Sequence, residues 1–401
     1  MRKTSLQIKT AMTSPLSILA ARVRDHIDLC VRDFAPDCQQ HSPGWAEHAD
    51  AEFNGLALML FTLQFEHNTA YRRICLARGI QPSDVTHWSR VPAAPTAAFK
   101  ELELTCLHPE QRTHVFHSSG TTGHSPSRHF HNTESLLVYE SSLWSWFRQQ
   151  IGDNASGSRL LCLTPSPAQA PRSSLVHMFG VVRQRLGAPE SAFLGRTAAD
   201  GAWTLDFEDV MQAFEDGPKN GRGTPELILG TAFSFVHLLD QLAENSRRLQ
   251  LPPGSFVMET GGYKGRSRIL PKAELHALIT ERLGVPRSHI LCEYGMSELS
   301  SQAYDSGARG GEGSFHAPPV ARHFHFPPWA RALVVSPETG REVADGETGL
   351  LRVLDLANVF SVMAIQTEDL AIRRGNGFEL IGRATSAESR GCSLMPAGST
   401  S

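Results

Sequence analysis

The chain has 401 residues, 41% hydrophobic and 20% charged, with a formal net charge of −3. A chain of that size and composition can bury a large core, in one domain or more. The near-neutral balance leaves no broad basic field, which argues against a nucleic-acid platform, and the longest apolar run, residues 55–61, is far too short to span a membrane.

Arg2 and Lys3 open the chain without an apolar stretch or cleavage site behind them, so no secretory leader is expected. Residues 1–15 are polar. Over 17–33, Leu19, Val23, Ile27 and Val31 recur at a spacing of four, one face of a helix that Ser17 would cap. A second helix is predicted over 50–78, with Phe53, Leu56, Leu60, Leu63 and Tyr71 near one stripe, Asp50 as N-cap and Gly79 as its stop. Pro92 and Pro95 make 90–100 an extended connector. Val115-Phe116-His117 reads as a short strand, and 133–150 as a helix with Thr133 as N-cap.

Apolar runs at 160–163, 180–182, 227–230, 255–259 and 289–294 read as further strands. Helices are predicted from the period of Phe233, Val236, Leu239 and Leu242, and over 271–283. Strand, loop and helix in repetition imply an α/β fold, with parallel sheets covered by helices. Past Ser314 the character changes. Short strands at 332–335, 349–353, 369–372 and 378–381, separated by glycine-containing turns, predict a small antiparallel β subdomain within 315–382. The expected organisation is one domain over 1–382 and a short tail over 383–401. Seven cysteines, Cys30, Cys38, Cys75, Cys106, Cys162, Cys292 and Cys392, are scattered without CxxC spacing. That argues against a disulfide framework or a zinc site and suggests a reducing cytoplasm.

Chemistry concentrates in a few loops. Ser118-Ser119-Gly120-Thr121-Thr122-Gly123 combines two glycines with four hydroxyls. Glycine admits positive φ and close approach of a ligand, and successive N–H groups in such a turn converge on an anion. The segment reads as a phosphate-holding loop or as an ordinary polar turn; it is not a Walker A loop, because no Gly-Lys-Ser/Thr ends it. Ligands of parallel α/β sheets sit beyond the carboxyl ends of the strands. Two more loops stand at predicted strand ends: Thr260-Gly261-Gly262-Tyr263-Lys264-Gly265 and Tyr294-Gly295-Met296-Ser297-Glu298. Thr367-Glu368-Asp369 enters a later strand, and Gly382-Arg383 closes the next.

Together these motifs resemble those of the adenylate-forming superfamily: its phosphate loop, its Tyr-Gly-x-Ser/Thr-Glu, its Thr-Gly-Asp (with Glu368 in place of glycine) and its Gly-Arg hinge. A narrower resemblance, to the LuxE-type acyl-protein synthetases, covers most of the chain. It rests on Pro92-x-x-Pro95-x-x-x-Phe99-Lys100, on the loop at 118–123 followed by Pro126-Ser127-Arg128, and on Pro171-Arg172-Ser173-Ser174. Thr260 to Lys264 and Arg390-Gly391-Cys392-Ser393-Leu394 also carry it. The superfamily's mobile C-terminal domain, which carries a catalytic lysine, is expected to be missing or vestigial, since the sequence given ends at Ser401.

The resemblance implies ATP-dependent activation of a carboxylic acid, long-chain fatty or aryl, to acyl-AMP with release of pyrophosphate. Transfer to a protein thiol follows. Coenzyme A or a carrier protein is the rival acceptor, and a non-catalytic nucleotide-binding homologue the rival of another class. An acyl-protein reductase is the implied partner. An anion attacking a polyanion needs N–H donors and positive charge around it, and Mg²⁺ prefers hard oxygen ligands. Glu298 is the expected metal ligand, with the Thr121 or Thr122 hydroxyl. Ser118 to Gly123 would cradle phosphates, Gly261 and Gly262 would approach adenine, and Tyr294, with Gly295 and Ser297 in its motif, would lay its ring on the base. A core tyrosine is the alternative for Tyr294. Asp369 would accept from the ribose hydroxyls, and Arg383 would reach ribose or phosphate or pair with an acid. Lys264 and Arg128 are the candidate cations near the phosphates. Cys392 is the candidate acyl acceptor, with Arg390 favouring its thiolate and Cys292 next in line.

Overall fold

The computed structural model describes residues 14–33, 45–118, 125–152, 157–187, 190–215, 224–261, 268–305 and 322–384. Among these, one twelve-stranded sheet organises the chain. Five strands are parallel, in the spatial order Ala192–Phe193, Arg159–Cys162, Glu226–Thr231, Phe256–Thr260 and Ile290–Tyr294. The sheet continues antiparallel through Ala303–Asp305, Phe324–His325, Gly377–Arg383, Ala364–Arg374, Thr348–Asp355 and Ala330–Val335. Ala94–Pro95 adds a parallel partner against Ile365 and Gln366. The predicted antiparallel strands are therefore present, and two short strands hydrogen-bond them to the parallel part.

Side chains alternate across the parallel strands, and the alternation divides the core. Leu160, Cys162, Leu227, Leu229 and Met258 belong to one cluster, with Val138, Leu143 and Phe147 of helix Thr133–Ile151 and Met178, Phe179 and Val182 of helix Ser174–Leu186. Leu161, Leu163, Ile228, Val257 and Ile290 belong to the other, with Phe235 and Leu239 of helix Ala232–Glu244 and Ile279 and Leu283 of helix Lys272–Leu283. Both faces are covered, which is why these strands read as continuous apolar runs. Each fully buried Leu or Phe contributes about 1.5–3 kcal/mol.

Several local expectations are corrected. Gly180, Val181 and Val182 lie inside helix Ser174–Leu186, not in a strand. The stripe of Val176, Phe179 and Val182 has helical spacing and is buried, with Phe179 and Val182 in the cluster that includes the sheet, and this outweighs the β preference of one Val-Val pair. Ser173 caps that helix through Val176 N at 3.3 Å. The helix expected over 50–78 is two, Trp45–His67 and Thr69–Ala77. Asn68 divides them, because its side chain accepts from Tyr71 N (3.0 Å) while donating to Ser361 O (3.3 Å). Asp50 is thus inside a helix, where it accepts from Trp88 Nε1. Asn132 rather than Thr133 caps the helix that follows it, and Ser14 rather than Ser17 serves the first. Among the described residues, no helix is long and apolar enough to cross a membrane.

Candidate active site

The strands His114–His117 and Arg128–His131 form an antiparallel hairpin that brackets the glycine-rich loop. Ser119, Gly120, Thr121, Thr122 and Gly123 lie outside the described residues. The base of the loop is pinched: Ser127 N donates to Ser118 Oγ at 3.0 Å, and Ser118 N donates to Ser127 O at 3.3 Å. From there Ser127 reaches across the molecule. Its hydroxyl donates to Glu298 Oε1 at 2.5 Å, and Ser297 Oγ donates to Oε2 of the same carboxylate at 3.0 Å. Two residues further along, His129 Nδ1 stands 2.8 Å from the Ser297 carbonyl. A carbonyl only accepts, so Nδ1 carries the proton. Burial pushes that imidazole down to about 4, so the ring is neutral at pH 7.

Glu298 is also fixed from behind. Asn358 Nδ2 donates to its carbonyl at 2.9 Å. Ser300 N and Ser301 Oγ donate to the two oxygens of Asp355 at 2.9 and 2.7 Å, and Ser300 Oγ donates to Asn358 Oδ1 at 2.6 Å. Burial raises the Asp355 carboxyl to about 6 against these bonds. Gln64 Nε2 in turn donates to Asn358 O at 2.7 Å. The connection after strand Ile290–Tyr294 is therefore bolted to both the loop hairpin and the end of strand Thr348–Asp355. All of these side chains are buried.

A second constellation stands at the same strand end. Tyr294 Oη donates to Asp369 Oδ2 at 2.8 Å, and Arg383 Nε donates to Asp369 Oδ1 at 3.0 Å. Thr367 Oγ1 accepts from Asp369 N at 3.1 Å and orients it. The Tyr294 ring meets Phe324, Phe326 and Phe378 edge-on, with centroids 6.1, 6.2 and 5.6 Å away. Burial, then the neighbouring Asp369, holds its phenol well above the usual value. Gly261 is exposed directly after strand Phe256–Thr260.

Arg128 pairs in register with His117 at the base of the loop. Its guanidinium lies 3.6 Å from the half-exposed Glu103, a pair worth little in water, and 5.7 Å from the Phe130 ring centre. Arg172 comes to the same place, its carbonyl accepting from His117 N at 2.9 Å. The His117 imidazole is lowered by burial first and then by both arginines.

The structure thus brings Ser118, Ser297 and Glu298 together through Ser127, and it joins Tyr294, Asp369 and Arg383. Gly262, Lys264 and Cys392 lie outside the described residues, as do Ser119 to Gly123. Sequence reasoning gave no role to Ser127, His129, Arg172, Asp355 or Asn358. The Pro126-Ser127-Arg128 and Pro171-Arg172 motifs held a signal for two of them, because both are among the stretches that carry the narrower resemblance.

Among the described residues, no group of three or more His, Cys, Asp or Glu side chains is arranged to hold a metal. One carboxylate with two serine hydroxyls is nevertheless a hard-oxygen donor set. It fits Mg²⁺, which commonly takes one or two carboxylates and completes its shell with phosphate and water. Asp369, a buried carboxylate with two acceptor oxygens, fits a vicinal diol.

Comparison with known proteins bears on the family and the fold. The family profile described as "Acyl-protein synthetase, LuxE" matches residues 43–398. A long-chain-fatty-acid–luciferin-component ligase of Aliivibrio fischeri is 25% identical over 361 residues, covering 84% of this chain and 85% of that one. Among solved structures, a 2-hydroxyisobutyryl-CoA ligase in complex with 2-HIB-AMP and CoA superimposes with a TM-score of 0.59 at 17% identity, over 84% of this chain and 69% of that one. The same ligase in its postadenylation state gives 0.58 at 16% identity, over 83% and 68%. At these identities the two structures bear on the fold alone.

Proposed function

Because the chain belongs to the LuxE family of acyl-protein synthetases, ligases that activate a carboxylic acid as its acyl adenylate, we propose that it activates a long-chain fatty or aryl acid and passes the acyl group to the thiol of Cys392. In the first step a carboxylate oxygen attacks the α-phosphorus of ATP. The bond to the bridging oxygen breaks, and pyrophosphate leaves. In the second, the thiolate attacks the acyl carbon and AMP leaves. An acyl-protein reductase is the natural recipient of such a thioester, and a cytoplasmic location belongs to the same reading.

The observation that carries this reading is the junction of Ser127, Ser297 and Glu298. It ties the loop with the phosphate-binding composition to the carboxylate suited to a divalent cation, at the carboxyl end of a parallel strand. In this reading Ser118 to Gly123 cradle the phosphates. Glu298, with hydroxyls from Ser127, Ser297 or Thr121, would hold the Mg²⁺ that offsets phosphate charge. Arg128, Arg172 and Lys264 supply cations beside the phosphates. Gly261 and Gly262 approach the base beside Tyr294, and Asp369 takes the ribose hydroxyls.

Acid-dependent exchange of labelled pyrophosphate into ATP, run across a panel of acids, tests the first step. Exchange with no acid in a folded protein would sink it. Asp369→Ala removes the acceptor of both Tyr294 Oη and Arg383 Nε. It is expected to weaken ATP binding about tenfold or more by calorimetry, as loss of a hydrogen-bonding carboxylate does, while leaving the KM for acid nearly unchanged. Unchanged ATP affinity would remove Asp369 from the nucleotide site.

A further inference from the structure

The face of the sheet beneath helix Thr133–Ile151 holds polar groups that the nucleotide chemistry leaves unused. Glu293 and Tyr304 are direct cross-strand partners on Ile290–Tyr294 and Ala303–Asp305, so their side chains stand on one face. Tyr304 faces that helix, its ring 6.4 Å from Phe147. Gln302 lies two residues before Tyr304 and shares its side of the chain. All three are buried, at 5%, 1% and 5% exposure for Glu293, Tyr304 and Gln302. Yet among the described residues Gln302 Oε1 and Tyr304 Oη have no hydrogen-bond partner, and the Glu293 carboxyl lies on the same patch. A buried polar atom without a partner is costly, and two together beside a buried carboxyl call for an explanation.

The patch has a way in. Gly295 is exposed, and a Cβ built on it would touch the Glu293 carboxylate and come within 3.4 Å of Gln302 Cγ. Glu293 and Gln302 therefore lie directly under the one residue of this strand end that carries no side chain. Glu298 follows on the same connection. A group entering over Gly295 thus meets these polar atoms close to where an acid's carboxyl must react.

Building on the acid-activating reading above, we propose that the acid activated by this chain carries a hydroxyl or amino substituent near its carboxyl group, received by Glu293, Gln302 and Tyr304. The Gln302 carbonyl can only accept, the Tyr304 hydroxyl can donate, and a hydroxyl or amine on the ligand satisfies both kinds at once. Burial, together with the nearby Glu259, raises the Glu293 carboxyl to about 8, so at neutral pH it is available as a donor as well. An unsubstituted alkyl chain in the same place would leave the Gln302 and Tyr304 oxygens unpaired. A site built to hydrogen-bond a substituent rejects the analogue that lacks it for that reason.

Matched pairs of acids test this in the full chain. Fatty and aryl acids with and without a hydroxyl or amino group near the carboxyl are compared by kcat/KM for pyrophosphate exchange. The substituted member is expected to lead by about tenfold or more, and Gln302→Leu and Tyr304→Phe should each remove most of that lead. Gly295→Ala should close the entry and depress the substituted acid more than the plain one. An unsubstituted acid turned over as well as its partner would overturn the inference and leave acid activation standing. A lead that survives in both variants would also overturn it. If no acid supports exchange, melting curves with the same acids decide the matter without catalysis. Stabilisation by the substituted member alone, lost in Gln302→Leu, would uphold the site and sink the activity. No difference between the members would sink both.

Discussion

Glu298→Ala is expected to lower acid-dependent pyrophosphate exchange about 10²–10³-fold in a protein that still folds, the size of effect seen when one pre-organised electrostatic group is removed from an active site. The carboxylate is 5% exposed and receives hydroxyls from Ser127 and Ser297, so its position is fixed before any ligand arrives. Its removal leaves those hydroxyls 3.5 Å apart and able to bond to each other, and Asn358 still holds the backbone carbonyl. The stability cost should therefore stay near that of one hydrogen bond, about 1 kcal/mol. Glu298→Gln separates charge from shape. The amide can still accept from one serine but cannot supply the negative charge a divalent cation needs, so it should be nearly as slow as alanine. Binding of Mn²⁺ in the presence of ATP, followed by paramagnetic resonance, should weaken in both variants. A folded Glu298→Ala protein with wild-type exchange would take this carboxylate out of the site.

The contrast between what could be read from the sequence and what could not has a physical basis. The strands at 160–163, 227–230 and 289–294 were legible because both faces of a parallel sheet are covered, so each strand is locally apolar whatever its partners are. The connection at 294–298 was legible because glycine and hydroxyl composition is local as well. The strand expected at 180–182 failed because three residues cannot distinguish period 2 from period 3.6, and the neighbours at 176 and 179 decide it. The division of the helix at Asn68 depends on Ser361, far along the chain, which engages the cap's amide. The same holds for the site's internal bracing. Ser127 meets Glu298 across 171 residues, and His129 meets the Ser297 carbonyl across 168. No spacing rule connects such positions before the sheet places one strand end against another.

Incubating the wild-type protein with ATP, Mg²⁺ and a labelled acid is expected to leave label on the chain, released by neutral hydroxylamine as a thioester is, and Cys392→Ser should reduce it to background. The structure narrows the alternatives. A thiol attacks an acyl adenylate as thiolate. Burial pushes the thiol of Cys75 to about 11 and that of Cys106 to about 12, and it raises Cys162 further. Cys292, the reserve candidate on sequence grounds, is 5% exposed, and its thiol is raised by burial first and then by the carboxylates of Glu259 and Asp305. These four are thiols at neutral pH and sit among packed side chains. Cys30, half-buried with its sulfur 3.5 Å from His26 Nε2, is the described rival, and Cys38 lies outside the described residues with Cys392. Exchange should continue at the wild-type rate in Cys392→Ser, because Ser127, Glu298 and Asp369 are untouched. A serine hydroxyl is hardly ionised at pH 7, so the transfer step should fail while adenylation proceeds. Label that persists in Cys392→Ser and disappears in Cys30→Ser or Cys38→Ser would move the acceptor to that position. Brisk exchange in a wild-type protein that takes up no label would instead place the acceptor on another molecule, a carrier protein or coenzyme A, and the product formed with each added separately would then tell which.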